Sequence, residues 1–583
     1  MLRIVTEKYK VDFCVVGGGL AGVCAALSAA RHGIKTALVQ DRPVLGGNAS
    51  SEMRVNISGA DIHNKKKNQR ETGILEELRL ENLKRNPSKN CYIFDTILYE
   101  KVKNEKNISL FLNTSCLDAK VSGKKIKSVK CRQLTTEKYI EIEAKIFADC
   151  SGDAVLAPLS GAKYRVGREA RSEFNEAIAV SKANRQTMGM TCCFQAEDTG
   201  KPVTFVPPVW VYTYKTCKEL PNNELEHCYL NMGYWWIEMG GDMDSIRDTE
   251  KIKDELLKVV YGVWDHIKNY CKWKEKAKNW DLTWVQFLPA KRESRRYIGD
   301  FILTANDISD GKVFEDTVAY GGWPMDDHNS GGFMSKEYKK KPTIFHKVPM
   351  LYTVPYRILY SKNIENLMFA GRCVSVTHMA LSSTRVMATC SIMGQAVGTA
   401  VSIAVKKNIS PRQIGIKYIK ELQQKLLADD CYLPGFKLDD SKLMKGLKIG
   451  SSSKSCPSVL MDGVNRPVGE ITHKFELANT GWVKLELKEM ARVRELTIIF
   501  DSMLEKNIQM NRFTMIDNQL TSPPLRLVKA FTIKADAKTI FKTNNNFQRL
   551  VKIPVNRKAE TITIKINGTW GEKKTAIFGI IIK

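Results

Sequence analysis

The chain has 583 residues, 43% of them hydrophobic and 26% charged, with only 19 prolines. That balance excludes a disordered or collagen-like chain and leaves room for several domain-sized cores. Lys and Arg number 90 against 63 Asp and Glu, a formal charge of +27, which raises nucleic acid, an anionic membrane or an acidic small molecule as partners.

The first residues mix Arg3, Glu7, Lys8, Lys10 and Asp12 ahead of any apolar run, so no export signal is read there. The apolar runs Phe13 to Val16 and Ile577 to Ile582 fall short of the roughly 20 residues that cross a bilayer. The expectation is a soluble, cytoplasmic protein. The 15 cysteines are too dilute for a disulfide framework, and no C-x-x-C pair occurs, so no metal centre is expected. The adjacent Cys192 and Cys193 are read as packing residues.

Val11 to Val16 reads as a strand that runs into Gly17-Gly18-Gly19-Leu20-Ala21-Gly22, a G-x-G-x-x-G turn. A helical stretch through Ala26 to Gly33 follows, then a second strand, Thr36 to Val39, ending at Gln40. This is a complete βαβ dinucleotide unit. Gly17 permits the turn, Gly19 lets backbone approach a pyrophosphate, Gly22 packs helix on strand, and the N–H groups around Leu20 and Ala21 favour the phosphates. The ribose slot, usually acidic, holds Gln40, whose amide oxygen can accept from a ribose hydroxyl, with Asp41 or Arg42 sharing the task.

The segment Arg42 to Glu52 contains Gly46-Gly47-Asn48 amid small polar residues. It resembles the stretch that runs along the FAD diphosphate in glutathione-reductase-type flavoproteins. Ile146 to Asp153 and Glu365 to Arg372 each read as a strand ending in a polar Gly turn. Both resemble strand-to-cofactor turns of that fold, which assigns Ser151, Gly152, Asp153, Gly371 and Arg372 to FAD. No second G-x-G-x-x-G follows a strand, so no separate NAD(P)H domain is expected.

Between about residues 170 and 360 lie Trp210, Trp235, Trp236, Trp264, Trp273, Trp280, Trp284 and Trp323, eight of the 10 tryptophans. One or two of them are expected on a sugar-stacking surface and the rest in a core. Trp323 to Gly332 is loop by composition and carries His328. After Gly371-Arg372 a second loop is expected to carry His378 and Arg385. An Ala/Gly-rich helix then begins near Ile392, so that Gly394 and Gln395 lie at its N-terminus, where the dipole stabilises charge on the flavin's pyrimidine end.

Lys406 to Leu427 is helical in pattern, and Asp429 to Gly435 breaks it. Beyond about residue 447 the chain alternates as strands: Trp482 to Leu487, Leu496 to Phe500 and Thr561 to Ile566. Short strands between turns predict a sandwich.

The motifs DRPVLGGNASSE from Asp41 and AGRCVSVTHMALSSTRVMATCSIMGQAVGTA from Ala370, with Arg70-Glu71-Thr72-Gly73 and Lys291 to Arg296 between them, resemble the FAD-dependent oxidoreductase family over roughly residues 10 to 435. Asp462 to Pro467 with Trp482 resembles a galactose-binding, discoidin-type jelly roll over roughly 450 to 583. Together these imply an α/β chain: a Rossmann-like FAD-binding domain in two parts (1–165 and 363–410), an inserted α+β substrate domain (166–362), a helical linker (411–446) and an all-β jelly-roll sandwich (447–583). A packing or oligomerisation role is expected of that sandwich, ahead of glycan capture.

The implied activity is hydride transfer between FAD and a hydroxyl-bearing small molecule, a sugar or sugar acid. His378 is the first choice of base and His328 the second, with Arg385 orienting substrate or stabilising reduced flavin. The bland alternatives are a backbone hydrogen bond for His378 and an ion pair with Glu52 for Arg385. A tRNA-modifying flavoprotein and a glycan-binding protein with a vestigial flavin site are the competing functions. The β-rich C-terminus and the scattered lysines favour a small-molecule partner, with neither nucleic acid nor membrane, and a homo-oligomer is allowed.

Overall fold

The computed structural model describes residues 4–221, 229–510 and 519–583. Its centre is a parallel sheet around β1 (Thr6–Val16). Phe13 to Val16 are buried on both faces, which is why they read as a continuous apolar run. After β1 come α1 (Leu20–Arg31), β2 (Thr36–Val39), β3 (Ile108–Phe111), β4 (Thr114–Ser122), β5 (Lys125–Gln133) and β6 (Lys138–Asp149). β7 (Leu367–Phe369) returns from far along the chain to lie parallel to the end of β6. The parallel order is β3-β2-β1-β6-β7, with β5 and β4 as an antiparallel flap on the first half of β6. Register places Val16 opposite both Val39 and Asp149, and Asp149 opposite Phe369. The chain therefore leaves β1, β2, β6 and β7 side by side, at the edge where such sheets bind ligands.

The expected loop carrying His378 is a helix, α2 (His378–Thr384), capped by the Thr377 hydroxyl, and Arg385 is its last cap. The Ala/Gly-rich helix α3 spans Met387–Lys407 and so begins more than a turn before the expected start. It is long and apolar enough to cross a membrane, yet it lies buried against α1. Two shorter helices, Pro411–Lys417 and Ile419–Ala428, complete the expected helical stretch.

The inserted region is built of short antiparallel pieces around a second core in which Phe194, Tyr234, Trp236, Trp264 and Phe333 meet. One correction concerns His328. Its segment is a strand, Met325–His328, paired with Thr343–His346 and buried throughout. The Asp-Asp-His run hides this by its polarity, since each polar group is matched by a partner inside the fold.

The C-terminal region is antiparallel, as expected, but not from short strands alone. Trp482 to Leu487 and Leu496 to Phe500 are the two ends of one strand, β8 (Trp482–Phe500), paired with β9 (Leu550–Thr569). Register shifts between Glu486 and Ala491 interrupt the pairing, and the two halves take different second neighbours, Lys448–Ser451 on the first and Lys574–Ile582 on the second. This region shares one continuous core with the parallel sheet. Arg466, fully buried, donates to the carbonyls of Asn68 and Arg70 (3.2 and 3.0 Å) and to the Thr72 hydroxyl (2.8 Å), and lies over the Tyr432 ring. Asn465 and Arg549 both hold Asp430 (2.6 and 2.8 Å). The Asp462 to Pro467 motif thus docks the sandwich on the rest of the chain.

Candidate active site

The glycine turn works by close approach. Gly17 has φ +106°, and a Cβ on it would run into the Cys150–Ser151 backbone; one on Gly22 would strike the Gly17 carbonyl oxygen. Gly19 instead faces open space, where a Cβ would meet only the Gly47 Cα at 3.9 Å. No side chain caps α1 and no acid sits in its first turn, so its N-terminal N–H groups are available to an anion. Gly46 (φ +107°) donates to the Gly18 carbonyl (2.9 Å), bringing Gly47 and Asn48 alongside.

A cavity of about 1290 Å³ opens here. Of the expected FAD residues, Gly17, Gly19, Leu20, Ala21, Gln40, Asp41, Arg42, Gly46, Gly47, Asn48, Ser151, Gly152, Asp153, Gly371 and Arg372 line it. Gln40 departs from a simple ribose role, because its amide oxygen accepts from Gly18 N (2.7 Å) and its amide nitrogen donates to Val44 O (3.2 Å). It clamps the glycine turn. On the far side Asp153 accepts from Lys291 (2.8 Å), Arg372 (2.9 Å) and Ser294 (2.8 Å). Burial alone would raise the Asp153 carboxyl, but Arg372 and Lys291 bring it down to about 2.

Three expectations are corrected. Gly394 and Gln395 do not reach the cavity: Gly394 lies against the Ala21 carbonyl, and the Gln395 amide oxygen accepts from Ile74 N (2.8 Å). The uncapped N-terminus of α3 is formed by Val386 and Met387, and these do line the cavity. His378 is also off the cavity. Its Nδ1 faces Glu293 (2.8 Å), its Nε2 faces Asp327 (3.1 Å), and it is 2% exposed. Its two carboxylate partners, and not a backbone carbonyl, hold it in place.

His328 does line the cavity. Its Nδ1 meets Glu238 (2.6 Å) and its Nε2 meets Asp326 (3.3 Å). Arg385 pairs with Asp326 (3.1 Å), not with Glu52, and Arg292 pairs with Glu238 (3.4 Å). Arg292, Glu238, His328, Asp326 and Arg385 therefore alternate in charge along one wall, ending beside the N-terminus of α3. Burial lowers the His328 pKa, but Glu238 and Asp326 outweigh it and the net shift is upward. Against its own burial, Asp326 is held well below the carboxylate range by His328 and Arg385. Trp235, Trp284 and Trp323 line the cavity, and Trp235 meets His328 edge-on (5.8 Å).

Sequence reasoning missed Glu238 and Asp326 as partners of His328. Asp326 stood two residues away in the same motif. Glu238 is 90 residues distant and carried no local signal.

A family model described as FAD dependent oxidoreductase matches residues 12–426. No curated protein matches the chain. Solved structures with some likeness include a geranylgeranyl bacteriochlorophyll reductase-like protein from Thermoplasma acidophilum (14% identity, TM-score 0.33, covering 73% of this chain and 86% of that one). Others are p-nitrophenol 4-monooxygenase from Pseudomonas putida (8%, TM-score 0.31, 73% and 91%) and the family 32 carbohydrate-binding module of Streptococcus pneumoniae EndoD (13%, TM-score 0.19, 24% and 99%). Likenesses this weak carry no argument beside the strand order and the glycine turn.

Proposed function

The chain belongs to the FAD dependent oxidoreductase family, and on that premise we propose that it moves a hydride between FAD and a hydroxyl-bearing small molecule, a sugar or sugar acid, with the proton handled at His328. The cavity fits the cofactor, since two uncapped helix N-termini, those of α1 and α3, open onto it, one beside the glycine turn and one beside the His328 wall. FAD supplies the two-electron acceptor or donor.

The observation that carries the reading is His328 held between Glu238 and Asp326 at the cavity wall. Glu238 lies behind the ring and fixes Nδ1 as a donor, while Nε2 donates to Asp326 when the ring is charged and, in the neutral ring, takes the hydroxyl proton that it later returns. Arg385 and Arg292 bring two guanidinium groups to that wall, whose forks suit a substrate carboxylate. Trp235 and Trp323 offer apolar faces for a ring.

The test is anaerobic flavin bleaching across a panel of sugars, uronic acids and glycosides. At least one is expected to bleach the holoenzyme, and His328→Ala is expected to slow bleaching by about 10²- to 10⁴-fold with FAD still bound. His378→Ala is expected to lower thermal stability while the surviving holoenzyme keeps its rate. The reverse ranking would return His378 to the mechanism.

A further inference from the structure

Outside the cavity, Cys217, His266 and Cys271 bring their ligand atoms within 4.8 Å of one another. Cys217 Sγ lies 3.3 Å from His266 Nε2 and 3.7 Å from Cys271 Sγ. Tetrahedral zinc, with bonds of about 2.3 Å to sulfur and 2.0–2.1 Å to nitrogen, sets S···S and S···N edges of about 3.8 and 3.6 Å. The observed separations are close to those edges.

The backbone builds this triangle by two devices. The helix Thr249–Asp265 ends in a π-helical turn, His266–Tyr270, and Cys271 N donates to His266 O (2.7 Å). That i to i+5 closure puts His266 and Cys271 on one face, which an α-helical turn would not do. Cys217 enters from a turn set by reciprocal Thr216–Glu219 bonds. His266 Nδ1 donates to the Tyr214 carbonyl (2.8 Å), which fixes the tautomer and leaves the Nε2 lone pair aimed at the sulfurs, the outer-shell arrangement of a metal-ligating histidine. His266 and Cys271 are buried and Cys217 is half-buried.

We propose that Cys217, His266 and Cys271 bind a borderline-soft divalent ion of the zinc class, with one further donor completing four-coordination. On binding, the metal–sulfur bonds form as the two thiols lose their protons to solvent, with no change of oxidation state. The ion ties the segment before Leu220 to the helix Thr249–Asp265, both part of the Trp-rich core beside the cavity. The role is structural, because none of the three residues lines the cavity.

The experiment uses the full FAD-loaded chain purified without chelator. Elemental analysis is expected to find about one zinc per chain, falling below a tenth of that in Cys217→Ser and Cys271→Ser variants that retain FAD. Should those variants fail to fold, the unmutated chain decides the matter. Stripped of metal and given Co²⁺, it is expected to show a thiolate-to-cobalt charge-transfer band and tetrahedral bands to the red of the flavin absorption. X-ray absorption is expected to resolve two sulfur donors and at least one imidazole. A chain free of metal and silent to Co²⁺, undiminished zinc in the variants, or a Cys217–Cys271 disulfide in the purified protein would each overturn the proposal.

Discussion

His328 and His378 are near twins in composition of surroundings. Each ring lies between two carboxylates, and in each the carboxylates overcome burial and raise the pKa. What separates them is position, because only His328 opens onto the cavity. A raised pKa has a kinetic sign: oxidation of a hydroxyl needs neutral His328, so the bleaching rate is expected to climb with pH through an apparent value above the ordinary histidine value of about 6.5. Glu238→Gln removes one carboxylate and is expected to lower that inflection by on the order of one pH unit. Stopped-flow pH profiles check both. The stability sign is opposite. The contribution of the raised histidines is fully present below their unfolded value of about 6.5 and is lost as pH rises through the folded one.

At the scale of elements, α1 and α3 meet through small residues. Gly394 rests on the Ala21 carbonyl and Gly398 on the Ala25 carbonyl, and Ser28 bonds Thr399 (2.8 Å). A methyl at Gly394 would push α1 away and tilt its N-terminus off the phosphate position. Gly394→Ala is expected to cost about 1–3 kcal/mol, to weaken FAD binding about tenfold or more, and to lower the melting temperature of the FAD-free chain as well. That last readout separates packing from the flavin contact that the sequence suggested for Gly394. Periodicity shows that this helix is apolar on all sides, but not where its first turn starts. Val386 and Met387 follow Arg385 without a capping side chain, so the boundary had no sequence signal.

Across the whole molecule, the sandwich is welded to the dinucleotide fold by buried charge. Arg70 forks onto Glu76 (2.9 and 2.7 Å) and also donates to Ser502 O (3.3 Å), and Arg549 pairs with Asp430. Arg549→Ala would leave the Asp430 carboxylate buried without that partner, and is expected to cost about 3–5 kcal/mol. Deleting residues 447–583 would take both Asn465 and Arg549 from Asp430, the Ser502 carbonyl from Arg70 and the Arg466 bond from Thr72, so the truncated chain is expected to be insoluble or FAD-free. Thermal melts and flavin content check both. The weld also places Gln509 against His63 (3.3 Å), a residue of the cavity wall.

The amino-acid sequence alone was enough to read the glycine turn, the two flanking strands, the three further Gly-containing turns and the β character of the last quarter, because those signals are local: a turn needs its glycine and a strand its alternation. It could not rank His328 over His378, start α3 at Met387, or gather Cys217 with His266 and Cys271. Those outcomes depend on which distant carboxylate, carbonyl or thiol the folded chain brings within a few ångströms, and such encounters leave no periodic trace in the residues that make them.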